Sequence, residues 1–133
     1  MPETPIKVMV LDDEEGIVHY VHKILQLKGY QTLTAMEGTQ AVALFERERP
    51  QISILDVHLS NSAIDGVEVL QKIKEIDPGA ECIMLSRITD ESKVTKAKEL
   101  GALHYLLKPI DTKDLIAVVN EVAAAIRKRW ADG

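Results

Sequence analysis

Five side chains carry the chemistry this sequence can offer, and each comes at the end of an apolar run. Asp12 and Asp13 follow Ile6-Lys7-Val8-Met9-Val10-Leu11, with Glu14 and Glu15 next. Asp56 closes Gln51-Ile52-Ser53-Ile54-Leu55, and Ser86 closes Glu81-Cys82-Ile83-Met84-Leu85. Lys108, with Pro109 behind it, follows Leu103-His104-Tyr105-Leu106-Leu107. If these groups meet, three carboxylates raise one another's pKa unless a cation neutralises them. Oxygen donors without cysteine or a histidine triad suit Mg2+, with Mn2+ as the other option, rather than Zn2+. The lysine supplies a point positive charge for a phosphoryl oxygen, and the serine hydroxyl donates to another. A carboxylate can also act as a nucleophile and form an acyl phosphate. The set reads as an in-line phosphoryl acceptor whose work is positioning and charge neutralisation.

For the five to meet, the apolar runs must lie side by side and point the same way. The chain alternates such runs with amphipathic segments. Ile17, Val18, Val21, Ile24 and Leu25 recur at helical spacing, and Gly29 stops that helix. Residues 31–35 read as a short, partly polar strand near an edge. Residues 38–48 read as a helix with Ala41, Val42, Leu44 and Phe45 inward, closed by Pro50. A loop over 57–64 leads to a helix over about 65–76, and Asp77-Pro78-Gly79 breaks it. Residues 90–100 form a weakly apolar helix stopped by Gly101, and Asp111 can cap the last helix. Strict β-α alternation predicts an α/β fold: five parallel strands with helices on both faces. Ligands of such sheets bind beyond the carboxyl ends of the strands. All five chemical groups fall at those ends.

Length and composition set the outer bounds. The 133 residues suit one domain, with an expected ordered core over about 5–129. Aromatics are 4%, so the core must be aliphatic. A net charge of −5 disfavours direct nucleic-acid binding, which calls for a basic surface. Cys82, the single cysteine, reads as a small buried core residue. The start Met1-Pro2-Glu3-Thr4-Pro5 lacks the basic and apolar regions of a signal peptide, and no apolar run approaches membrane-spanning length. The expectation is a cytoplasmic protein. His19 and His22 stand three apart without a third ligand and read as solvent-facing, and His104 reads as a strand residue. Asp12, Asp13 and Glu14 could instead be an acidic helix cap, but a cap needs neither Asp56 nor Lys108.

Leu11-Asp12-Asp13-Glu14, Leu55-Asp56-Val57, Asp65-Gly66, Ser86 and Tyr105-Leu106-Leu107-Lys108-Pro109 occur in order. In this the chain resembles the receiver domain of two-component response regulators over nearly its whole length. The resemblance implies a flavodoxin-like sheet of strand order 2-1-3-4-5. It implies that Asp56 accepts a phosphoryl group from a phosphohistidine on a sensor histidine kinase or phosphotransfer protein. Asp13, Asp56 and the backbone carbonyl of His58 would bind Mg2+, and Asp12 would act mainly through metal-bound water. Lys108 would contact the phosphoryl group, and the Lys108-Pro109 bond would be cis. Ser86 and Tyr105 would shift on phosphorylation and change the surface over about 90–129. Such a domain is a phosphoacceptor switch and not an enzyme, beyond slow self-phosphorylation from small donors and autodephosphorylation. A fused or separate output domain, and a homodimer through the switching surface, remain open.

Three features depart from the family pattern. The loop after Asp56 lacks the usual Met-Pro pair and is one residue longer before Asp65-Gly66. Arg87 replaces a small residue and could cover the pocket, pair with the phosphoryl group or point to solvent. Ile88 and His58 each lie two residues past a site residue, beside the path of the hydrolytic water, and apolar Ile88 is expected to slow self-dephosphorylation. Competing readings are a pseudo-receiver used only for docking, an aspartyl-nucleophile phosphohydrolase of the haloacid-dehalogenase type, and a flavodoxin relative. The hydrolase would want a second acid where His58 stands. The flavodoxin would want a phosphate loop where this chain has acids that repel phosphate.

Overall fold

The computed structural model describes residues 5–132. The signal-peptide reading of the N-terminus falls mostly on residues outside that range. Ten elements alternate: β1 (Lys7–Leu11), α1 (Glu15–Leu27), β2 (Gln31–Ala35), α2 (Gly38–Glu48), β3 (Ile52–Asp56), α3 (Gly66–Ile76), β4 (Glu81–Ser86), α4 (Glu91–Glu99), β5 (His104–Leu107) and α5 (Thr112–Asp132). All strand pairs are parallel, in the order β2-β1-β3-β4-β5. This is the five-stranded arrangement expected, with β2 and β5 at the edges. Three strands begin one residue later than the apolar runs suggest, at Lys7, Ile52 and His104. Leu103, just before β5, is exposed.

The sheet is buried on both faces because successive side chains point to opposite sides. Val8, Val10, Ile52, Ile54, Ile83 and Leu85 pack with Val21 and Leu25 of α1 and with Leu115, Val119 and Val122 of α5. Met9, Leu11, Leu55, Cys82 and Met84 face the other way, onto Phe45 of α2, Leu70 and Ile73 of α3 and Ala97 of α4. Each fully buried Leu or Ile contributes roughly 1.5–3 kcal/mol. α4 buries only Ala97, which fits its weak apolar signal. Cys82 is buried as expected, and burial pushes its thiol up to about 12.

Helix ends fix where the strand-end loops run. Asp65 caps α3 in a capping box: its carboxylate accepts from the Glu68 N–H at 2.9 Å, and Glu68 accepts from the Asp65 N–H at 3.3 Å. Asp111 caps α5 as expected, accepting from Lys113 and Asp114 N–H groups at 2.8 and 3.2 Å. The Lys108-Pro109 bond is cis. His19 is exposed, but His22 is not the solvent-facing residue expected. It is half-buried with its ring nitrogen on the Thr32 hydroxyl, because α1 lies against the edge strand β2.

Gly66 opens α3 directly against the end of β3. A Cβ there would lie 1.8 Å from the Asp56 carbonyl oxygen, closer than any side chain permits. Gly16 in α1 has open space instead. Gly66→Ala should therefore cost about 3 kcal/mol or more, whereas Gly16→Ala should be neutral or stabilise by up to about 1 kcal/mol. Urea denaturation of both variants checks the opposite signs.

Candidate functional site

The order of the strands reverses between β1 and β3, and a crevice forms there at their carboxyl ends. Asp12 and Asp13 follow β1, and Asp56 ends β3. Backbone hydrogen bonds set the frame: the Val57 N–H donates to Leu85 at 2.9 Å, and the Lys108 N–H donates to Ser86 at 2.8 Å. The second bond fastens the root of the Lys108 side chain to the end of β4, so the ammonium reaches across β4 and β3.

Carboxylate oxygens of Asp12, Asp13 and Asp56 all lie within 4.8 Å of one another. Lys108 Nζ stands 2.8 Å from Asp12 Oδ2 and 3.0 Å from Asp56 Oδ2, with Glu14 Oε1 further out at 3.9 Å. Asp12 is fully buried, Asp56 nearly so, and the Lys108 side chain is only 10% exposed. Glu14, the N-cap residue of α1, makes no side-chain cap. Asp12 instead accepts the Glu14 N–H at 2.9 Å, a turn that aims its other oxygen at Lys108.

Three carboxylates and one ammonium leave the pocket short of positive charge. Burial, and after it the charge of Asp12, pushes the Asp56 carboxyl up to about 7, against the pull of Lys108 and the His58 N–H. That N–H donates to Asp56 Oδ1 at 3.2 Å. Burial works against Lys108, but its bonds to Asp12 and Asp56 outweigh it and hold the ammonium above its usual range. Burial also raises Asp13, yet the Ser60 N–H and hydroxyl more than offset this and leave it below the usual carboxylate range. An all-oxygen donor set with excess negative charge fits a hard divalent cation.

Ser86 is buried at the end of β4 and lies on the same sheet face as Met84, which is in register with Tyr105. Ser86 and Tyr105 line a groove of about 330 Å³ that runs toward α4, together with Arg87, Ile88, Val94 and Leu107. The Tyr105 hydroxyl donates to the Ala102 carbonyl at 2.9 Å, and Lys98 Nζ sits 5.6 Å from the ring centroid. Of the three placements open to Arg87, the structure has the one toward solvent. Its N–H donates to Asp90 at 2.8 Å, and its side chain is exposed. Two neighbours of the site escaped the sequence reading. For Gly66, glycine's poor helix propensity at the start of a helix is the signal that close packing leaves in the sequence. Ser60, whose N–H reaches Asp13 Oδ2 at 2.7 Å, left no local signal.

Residues 8–120 match the response regulator receiver domain. The chain belongs to this family. It is 31% identical over 122 residues to sporulation initiation phosphotransferase F of Bacillus subtilis (strain 168), covering 92% of this chain and 91% of that protein. It is 33% identical over 116 residues to the alkaline phosphatase synthesis transcriptional regulatory protein PhoP of the same organism, covering 87% of this chain but 48% of PhoP. The crystal structure of the receiver domain of NtrX from Brucella abortus superimposes with a TM-score of 0.81 at 30% identity, covering 86% of this chain and 96% of that one. Receiver domains are phosphoacceptor switches of two-component signalling, and they bind Mg2+ in an acidic pocket. Membership sets aside the dehalogenase-type hydrolase and the flavodoxin relative.

The raised Asp56 pKa has a measurable consequence. Between about pH 4 and about 7 the folded, metal-free receiver keeps a proton that the unfolded chain has released. The stability from that proton is full below about 4 and is lost as pH rises to about 7. In urea titrations with chelator, the unaltered chain should lose stability relative to Asp56→Asn over this window. A difference between the two that is constant with pH would contradict it.

Proposed function

We propose that this receiver domain takes a phosphoryl group onto the Asp56 carboxylate from a phosphohistidine of a sensor kinase or phosphotransfer protein. The observation that carries the reading is the Lys108 ammonium, held within 3.0 Å of both Asp12 and Asp56 in a pocket otherwise lined by acids. An Asp56 oxygen forms the new bond to phosphorus as the bond from phosphorus to the histidine nitrogen breaks. The imidazole leaves with that electron pair, and an aspartyl phosphate remains. Lys108 is then placed to give up one carboxylate contact and meet a phosphoryl oxygen instead. Asp13, Asp56 and the His58 carbonyl would hold Mg2+ or Mn2+, with Asp12 contributing through water. The bound cation supplies neutralisation of the clustered negative charge.

The described residues form a single receiver unit on this reading. Ser86 and Tyr105 pass the change outward, because they share the groove between β5 and α4. The output surface is that of α4, β5 and α5. The output partner is a fused or separate domain, or a second copy of the chain, and the chain acts in the cytoplasm. Among the described residues no helix is long and apolar enough to cross a membrane. A docking-only pseudo-receiver is disfavoured by the close approach of Lys108 to Asp56.

Incubation with acetyl phosphate or phosphoramidate and Mg2+ should add one phosphoryl group by intact mass, removable with hydroxylamine. Asp56→Asn should take none, and Lys108→Ala should label about a hundredfold more slowly. An unlabelled native chain, or a labelled Asp56→Asn, defeats the proposal. Ile88 is 86% exposed beside Ser86, so its substitution leaves the core untouched. Ile88→Glu should shorten the lifetime of the phosphorylated form, because a carboxylate there can orient the attacking water. Decay that is equal or slower in the variant rejects that role.

A further inference from the structure

Lys108 forms ion pairs with Asp12, Glu14 and Asp56. Among the described residues no ion pair of 4.0 Å or less joins it to Asp13. Asp13 is half-buried, and its fixed partner is Ser60, whose N–H donates to Oδ2 at 2.7 Å. We propose that Ser60 is a positioning residue that sets the affinity of this site for a divalent cation by holding Asp13 in place. The inference rests on the phosphoacceptor reading above.

A carboxylate has two oxygens with about four acceptor directions. The Ser60 N–H takes one of these directions on Oδ2, so the bond orients Asp13 and leaves others for a cation. Outer-shell partners of this kind typically account for about 10- to 100-fold in metal affinity. Ser60 can hold Asp13 because its own loop is held. The Gly38 N–H donates to Ser62 Oγ at 2.8 Å, and that hydroxyl donates to the Ile64 carbonyl at 2.5 Å. A Cβ on Gly38 would lie 2.6 Å from the same carbonyl oxygen, and Leu59 is buried in the core. The loop is thus pinned to the start of α2 on one side and to the acid pocket on the other. Position 60 is a serine and not a proline, so it has an N–H to give.

The test is calorimetric titration of the full chain with MgCl2. Ser60→Pro removes the N–H and should bind about tenfold or more weakly. Ser60→Ala keeps the N–H and should bind at native affinity. Ser60→Thr also keeps the N–H and should bind at native affinity. Native affinity in Ser60→Pro overturns the inference alone. Absence of magnesium binding by the unaltered chain overturns the metal reading of the site, and this inference with it. If Ser60→Pro does not fold, amide NMR decides. The Ser60 N–H resonance should move upfield by a large step in Asp13→Ala, and an unmoved resonance overturns the inference.

Discussion

An ammonium shared between two buried carboxylates is the constraint on which the rest of this structure turns. Lys108 reaches Asp12 at 2.8 Å and Asp56 at 3.0 Å, and both acids are almost wholly removed from water. Burying either acid alone would be expensive, and burying both side by side more so. One cation lowers that cost without cancelling it, since Asp13 brings a third negative charge within 4.8 Å. The pocket is left with an unmet demand for positive charge. A divalent cation answers that demand, and an incoming phosphoryl group can then compete for the lysine.

The scaffold serves this charge arrangement at the backbone level. Parallel strands bring β1, β3, β4 and β5 to a common edge, and the reversal of order between β1 and β3 opens the crevice. The bond from the Lys108 N–H to Ser86 ties the lysine to the neighbouring strand and not to a free loop. Gly66 lets α3 start against the Asp56 carbonyl, so the phosphoacceptor strand end is packed and not merely exposed. Groups on rigid strand ends keep their spacing when charge changes, as chemistry by positioning requires.

Two routes lead away from the acid pocket. One is the groove from Ser86 past Tyr105 toward α4, a helix that buries a single alanine and is lightly attached. Weakly buried elements are the ones a small energetic change can move. The other is the loop from Asp56 to Asp65, which touches Asp13 through Ser60 and α2 through Ser62. The first is lined by exposed apolar side chains, Ile88 and Leu107, and the second is stitched by polar bonds. They suit different tasks, a surface to be read and a clamp to hold a ligand set.

The sequence by itself determined the alternation of strands and helices, the aliphatic two-faced core, and the strand-end placement of Asp12, Asp13, Asp56, Ser86 and Lys108. Those features are local, written in apolar runs, helical spacing and turn residues, and they survive without knowledge of what packs where. The motifs in order also pointed to the receiver family, which the match over 8–120 bears out. Strand starts slipped by a residue because the edge of an apolar run does not say where pairing begins. The burial of His22 cannot be read from spacing, because it depends on α1 lying against β2. Only the tertiary structure decided that Lys108 spans two acids, that Gly66 meets the Asp56 carbonyl and that Ser60 holds Asp13. Each joins residues distant in the chain through a few ångströms of space, and such distances are set by how the elements pack, not by spacing along the sequence.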